Sequence, residues 1–296
     1  MQQEIIKNPV MLFEEQFLYE LKKQAFSPDL FIAFKEAVWN FYNQEKRPFP
    51  WRETDNPYHI VVSEIMLQQT QTGRVTEKYL AFIATFPTFK ALAEASFKDV
   101  LKVWVGLGYN RRAQALHIIA QKIISEYKGQ LPCDPSVLQT FKGIGPATAS
   151  SIVAFAFNMP TIFIETNVRT VYLHTFFKEQ EIVHDKELMP LIALTVDQKN
   201  AREWYYALMD YGVYLKKTYK NPSQKSKHHA TQSTFNGSDR QIRGAVLRQL
   251  IKKKSITVKD IQKEVSWATA EKITSIFLDL EKEQLIVLSQ SGWKLS

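Results

Sequence analysis

The chain has 296 residues, a formal net charge of +8, a sequence pI near 9.3 and a single cysteine, Cys133. That length can bury one large core plus a satellite, so two or three compact lobes are expected, and the positive excess suits a polyanionic partner such as nucleic acid. One thiol excludes an internal disulfide framework and any iron–sulfur cluster held by four thiolates of this chain, and no stretch reaches the roughly 20 apolar residues needed to cross a bilayer.

Helical periodicity dominates in chain order. Residues 1–27 are expected as an N-terminal extension containing a helix over 11–24. Residues 30–43 follow with Phe31, Phe34, Ala37, Val38 and Phe41 on one side. A proline-rich break at Arg47-Pro48-Phe49-Pro50-Trp51-Arg52 precedes helices expected over 58–72, 74–86, 88–94, 98–104, 111–127, 135–140, 146–157 and 167–177. Two more fit 185–197 and 200–217, and together they predict a mainly α domain over 28–215. Residues 216–237 are polar, basic and almost free of aliphatic residues, which reads as a linker. Its pair His228-His229 fits a solvated loop better than a metal site. Residues 238–296 then carry an apolar set of their own: three helical stripes and two short strand-like runs around Ser289-Gln290-Ser291-Gly292. That is the order of a winged helix-turn-helix domain.

Three segments carry chemistry. In Phe141-Lys142-Gly143-Ile144-Gly145-Pro146-Ala147-Thr148-Ala149, glycines between two helical patterns allow a tight turn and close approach. Amide groups at the start of the following helix would then form a site for a DNA phosphate, as in a helix-hairpin-helix; a plain interhelical turn is the simpler alternative. In Val61-Val62-Ser63-Glu64-Ile65-Met66-Leu67-Gln68-Gln69-Thr70-Gln71, helical spacing puts Glu64 with Ile60, Val61, Leu67, Gln68 and Gln71 on a helix apolar enough to be buried. A buried carboxyl stays protonated more readily, as a general acid requires; a structural glutamate paired with an arginine fits equally. Glu165 precedes the helix pattern of Asn167-Val168-Arg169, where a helix N-terminus favours an ionised acid, with or without catalytic duty. Two carboxyls in opposed settings suit acid-assisted glycosidic cleavage on a nucleotide drawn out of the stack.

From about Phe31 to Gly212 the sequence resembles the MutY adenine DNA glycosylases of the endonuclease III superfamily. The resemblance rests on Pro50-Trp51-Arg52, the 62–71 segment, Gly106-Leu107-Gly108-Tyr109, Gly143-Ile144-Gly145 and Asn167-Val168-Arg169. It implies a two-lobed helix-hairpin-helix fold with the active cleft between the lobes, acting on double-stranded DNA with a mispaired or damaged base. It implies that Glu64 protonates the departing purine and that Glu165, with Asn167 beside it, stabilises the sugar cation or orients water. Arg47, Trp51, Arg52 and Leu67 would border the base pocket, together with Ala147 and Tyr206. Gln69, Leu107 and Tyr109 would enter the duplex, and Gln68, Thr70, Gly143, Ile144, Gly145, Thr148 and Arg169 complete the expected DNA contacts.

Several departures from the family pattern stand out. Glu165 replaces the usual aspartate. Ala147 stands where adenine-removing relatives have Ser or Tyr and bifunctional ones the Schiff-base lysine. Tyr206 replaces an edge-reading Gln or Glu. The four-cysteine cluster loop expected after Gly212 gives way to the basic linker, and the family's C-terminal lesion-reading domain to the winged-helix candidate. The expectation is a cytoplasmic, monomeric, monofunctional purine glycosylase without cofactor or metal, adenine opposite 8-oxoguanine being one candidate target. An endonuclease III-like glycosylase/lyase and a non-catalytic lesion-binding protein are the alternatives.

Overall fold

The computed structural model describes residues 26–178, 180, 182–219, 226 and 234–296. The helix expected over 11–24 and the pair His228-His229 lie outside them. The chain forms two compact units, one within Met1–Arg47 and Asn158–His229, the other within Pro48–Phe157 and Ala230–Ser296.

The first unit holds α1 (Pro28–Glu45), α9 (Thr166–Phe176), α10 (Asp185–Thr195) and α11 (Ala201–Thr218). Helix α1 starts where Ser27 Oγ accepts from the Leu30 amide with Pro28 in the first turn, a position that needs no N–H. Its Phe34 meets Tyr172, Phe176 and Trp204 edge-on, with ring centroids 5.1–5.9 Å apart. Helices α9 and α11 cross at Gly212, where a Cβ would sit 2.8 Å from the Asn167 Cβ and closer still to its carbonyl oxygen. Helix α11 runs through Thr218, into the stretch expected as linker; Lys216 and Lys217 suit its last turn because cations complement the exposed carbonyls there.

The second unit begins with a 3₁₀ turn (Pro50–Arg52) and continues through α2 (Pro57–Leu67), α3 (Thr72–Thr85), α4 (Phe89–Glu94), α5 (Phe97–Trp104), α6 (Arg111–Glu126), α7 (Pro135–Leu138) and α8 (Pro146–Phe157). Helix α2 is its centre, packing on α3, α6 and α8. It ends at Leu67, earlier than the periodicity suggests, because Gln69 turns the chain with a left-handed backbone (φ 54°) and α3 starts from Gln71. Gln71 therefore leaves the Glu64 face. The same unit takes in α12 (Asp239–Lys252), α13 (Val258–Gln262), α14 (Ala270–Lys282) and an antiparallel hairpin of β1 (Ile286–Ser289) and β2 (Gly292–Leu295). Ile256 bridges Trp293, adding a short third strand position to that hairpin. This C-terminal segment is fastened to α6: Gln114 Nε2 donates to the Gln284 carbonyl at 2.9 Å, and Arg111 reaches Glu283, which also pairs with Arg243 of α12.

Candidate catalytic and DNA-binding residues

Asn56 caps α2 by accepting from the Tyr58 amide, with Pro57 in the first turn. Most of the helix is buried. Glu64 is half-buried, a correction to the periodicity argument, and so is open to a substrate. Its Oε2 accepts a 2.5 Å hydrogen bond from Ser151 Oγ of α8, a side chain only 4% exposed. The same hydroxyl lies 3.1 Å from the Thr148 carbonyl. One hydroxyl proton cannot serve both acceptors: when it turns to Thr148, the oxygen can accept the proton of a neutral Glu64. Ser151 thus holds the acid in either protonation state. Sequence reasoning missed it, although three polar residues, Thr148, Ser150 and Ser151, at the start of an otherwise apolar helix are a usable signal.

The 141–149 segment turns as expected. Gly143 has φ +82°, and a Cβ there would come within 2.8 Å of the Ala115 Cβ, so conformation and space both demand glycine. Gly145 is exposed and sterically unconstrained. Phe141 and Ile144 anchor the turn in the core, and the Ile144 amide is donated to the Phe141 carbonyl at 3.1 Å. Ile144 is therefore an anchor, and the amides that the helix start leaves without intrahelical partners are those of the first turn of α8, Ala147 and Thr148 among them. Gln68 Nε2 lies 3.2 Å from both the Gly143 carbonyl and Thr148 Oγ1, which brings three of the expected contacts together.

A second junction centres on Arg112, which the sequence reading did not single out. Its Nη1 donates to the carbonyls of Ile65 (3.0 Å), Met66 (2.8 Å) and Gln68; Nη2 reaches Thr70 Oγ1 at 2.9 Å and the Gly108 carbonyl at 3.3 Å. The guanidinium also lies over the rings of Trp104 and Tyr109 at 5.5 and 5.3 Å. Burial lowers its ionisation point to about 10. It therefore ties the turn at Gln69 to the loop at Tyr109, and both residues have left-handed backbones (φ 54° and 47°). Non-glycine residues adopt that conformation at a cost of about 1–3 kcal/mol, and it recurs at functional sites.

Several expected contacts are placed differently. Leu107 is 2% exposed and packs into the core, leaving exposed Gln69 and half-exposed Tyr109 as the outward residues of the two turns. Trp51 and Arg52 are interior: Trp51 stacks on Phe49 at 4.9 Å and Arg52 lies over the same ring. Leu67 is half-buried at the end of α2, and Ala147 is exposed on α8. In the first unit, Tyr206 is 2% exposed on α11 and presents no edge to solvent. Arg47 donates from Nε (2.6 Å) and its backbone amide (3.0 Å) to Asp210. Arg169 makes a two-pronged ion pair with Asp185 at 2.7 and 2.6 Å, which fastens α9 to α10 and engages the guanidinium expected for DNA.

Glu165 caps α9. Its Oε1 accepts from the amides of Asn167 (2.7 Å) and Val168 (2.8 Å), and its Oε2 accepts from Asn167 Nδ2 at 3.3 Å. Asn167 Oδ1 in turn accepts from Lys216 Nζ of α11 at 2.9 Å. The lysine's own ionisation is pushed down by burial, against the attraction of Glu165. A chain with one cysteine, and that one exposed, does not fit the four-thiolate cluster that the resemblance implies. Among the described residues no group of His, Cys, Asp and Glu is poised to hold a metal ion, and no helix is long and apolar enough to cross a membrane.

Comparison with known proteins bears on the family. Residues 62–193 match the family model of the HhH-GPD superfamily base excision DNA repair proteins. An adenine DNA glycosylase of Mycobacterium tuberculosis is 30% identical over 250 residues, 77% of this chain and 82% of that protein. One from Mycolicibacterium smegmatis is 36% identical over 176 residues, 59% of this chain and 60% of the relative. Among solved structures a thermostable thymine-DNA glycosylase superposes with a TM-score of 0.58 at 24% identity, covering 66% of this chain and 91% of that one, a likeness of fold. Motif order, hairpin geometry and these likenesses lead to one assignment: the chain belongs to the MutY-like adenine DNA glycosylase family of the helix-hairpin-helix base-excision repair superfamily.

Proposed function

We propose that the protein hydrolyses the N-glycosidic bond of a mispaired purine in double-stranded DNA, adenine opposite 8-oxoguanine being the first substrate to test. The observation that carries this reading is Glu64: a half-exposed acid on a buried helix, gripped through Oε2 by Ser151. Glu64 gives its proton to the purine as the C1′–N9 bond breaks and the electron pair leaves with the base. Glu165 offers negative charge to the developing oxocarbenium ion, water adds at C1′, and its proton passes to a carboxylate. The first-turn amides of α8 and Gln68 grip the DNA backbone, and Gln69 and Tyr109 meet the bases. The protein works as a monomer, and the C-terminal segment acts as a winged helix that braces α6.

The product is an intact abasic site. A lyase needs an unprotonated amine at C1′, and the position that carries it in bifunctional relatives holds Ala147. Lys142 is turned away, its Nζ 3.3 Å from Gln114 Oε1. Single-turnover assays on a panel of mismatched and oxidised duplexes test the reading. Glu64→Gln should lose about 10²-fold or more in base release with duplex binding retained. Excision by Glu64→Gln at the wild-type rate would reject the assignment of the acid.

A further inference from the structure

Lys216 stands in the stretch that replaces the cluster loop, and the resemblance gives it no role. It lies on the last turn of α11, half-buried, with Nζ 2.9 Å from Asn167 Oδ1. Asn167 is fixed from two further directions: its amide nitrogen donates to Glu165, and its backbone lies against Gly212, where α11 approaches so closely that a Cβ would not fit. The two ends of a carboxamide have nearly the same shape, so packing alone does not decide which end meets Glu165. An ammonium only donates. Facing Lys216, the carboxamide must present its oxygen to the lysine and its NH₂ to Glu165 Oε2. Arg169, another cation close by, is occupied by Asp185.

We propose that Lys216 is a positioning residue for excision: its ammonium sets the orientation of the Asn167 carboxamide, and through it the rotamer of Glu165, while supplying a positive charge beside that carboxylate. Glutamate is one methylene longer than the family's aspartate and has one more torsion to fix. Its two amide bonds hold Oε1, and the Lys216–Asn167 relay holds Oε2. The lysine thereby joins α11 to α9 by one hydrogen bond at the carboxylate.

This inference rests on the glycosylase reading, and its test separates the two. Lys216→Met and Lys216→Arg are compared with the wild type in single-turnover excision and in equilibrium binding to a duplex carrying a non-cleavable substrate analogue. Lys216→Met should slow excision roughly 10- to 100-fold, the scale of an Ångström-sized misplacement, at unchanged analogue affinity. Lys216→Arg, which keeps the charge and donor, should recover most of the rate. Equal rates for wild type and Lys216→Met would overturn the proposal. So would a borohydride-trapped adduct lost in Lys216→Met, since that would make Lys216 the nucleophile. A ¹⁵N spectrum needs no substrate: the Asn167 side-chain NH₂ pair, identified by its loss in Asn167→Asp, should be shifted in wild type and Lys216→Arg and should move to the free-amide position in Lys216→Met. An unmoved pair overturns the relay whatever the substrate panel gives. Absence of excision by the wild type, with the amide shift present, would instead fault the glycosylase reading.

Discussion

Replacing Arg112 with methionine keeps the volume of the side-chain stem and removes every donor. Helix α2 ends at Leu67, so the carbonyls of its last turn have no intrahelical amide partner. Thr70 supplies its amide to the Leu67 carbonyl at 3.1 Å, and Arg112 serves those of Ile65 and Met66. Both Arg112 bonds are buried, so no water replaces the guanidinium there. A hydrogen bond to a charged group contributes about 1.5–3 kcal/mol, and two buried acceptors are stranded. Relief of the buried cation, whose desolvation is visible in its lowered ionisation point, offsets part of that loss. The net expectation is a destabilisation of about 3–5 kcal/mol, with the Gln69 and Tyr109 turns uncoupled. Urea unfolding followed by tryptophan fluorescence measures it. Arg112→Lys should recover less than half, because one ammonium cannot span acceptors on two segments. If Arg112→Met unfolds with a stability within about 1 kcal/mol of wild type, a size ordinary for any point mutation, the clamp is refuted.

Gly212→Ala should force α9 and α11 apart by pressing on the Asn167 carbonyl and Cβ; a cost of at least 1–3 kcal/mol is expected, with excision slowed beyond what the stability loss explains. His59 and His117 titrate below the ordinary histidine range because burial disfavours the imidazolium, so the unfolded chain binds protons more readily. Stability should be full above pH about 6.5 and fall as pH drops below it; His117→Gln should flatten that slope, and an unchanged slope would show that His117 does not contribute. In the C-terminal segment Arg243, Arg248 and Lys253 are engaged by Glu283, Glu264 and Asp260, whereas Lys252 and Lys254 are exposed. Replacing both exposed lysines by glutamine should reduce the salt slope of duplex binding by at most about 1.8, at roughly 0.9 for each phosphate contact; a larger fall would mean that the paired arginines open to grip DNA.

The helices, the hairpin glycine and the acids are legible in local sequence. Apolar spacing, the acid Glu165 at a helix start and the proline breaks are local properties, and the expected helices start and stop close to those observed, the C-terminus of α2 excepted. Gly143 is legible because a positive φ needs a glycine wherever it occurs. Which polar groups meet is settled only by packing. Ser151 lies 87 residues from Glu64, Arg112 44 to 47 from the carbonyls of Ile65, Met66 and Gln68, and Lys216 49 from Asn167, distances at which no periodicity carries information. Packing also settles which apolar residues of the family motifs face inward: Leu107, Trp51 and Ile144 share the composition of exposed wedges, yet all three are buried. Lys216 shows the limit most directly, since in a lysine-rich stretch it reads as a solvated charge until the crossing of α9 and α11 at Gly212 brings it to Asn167.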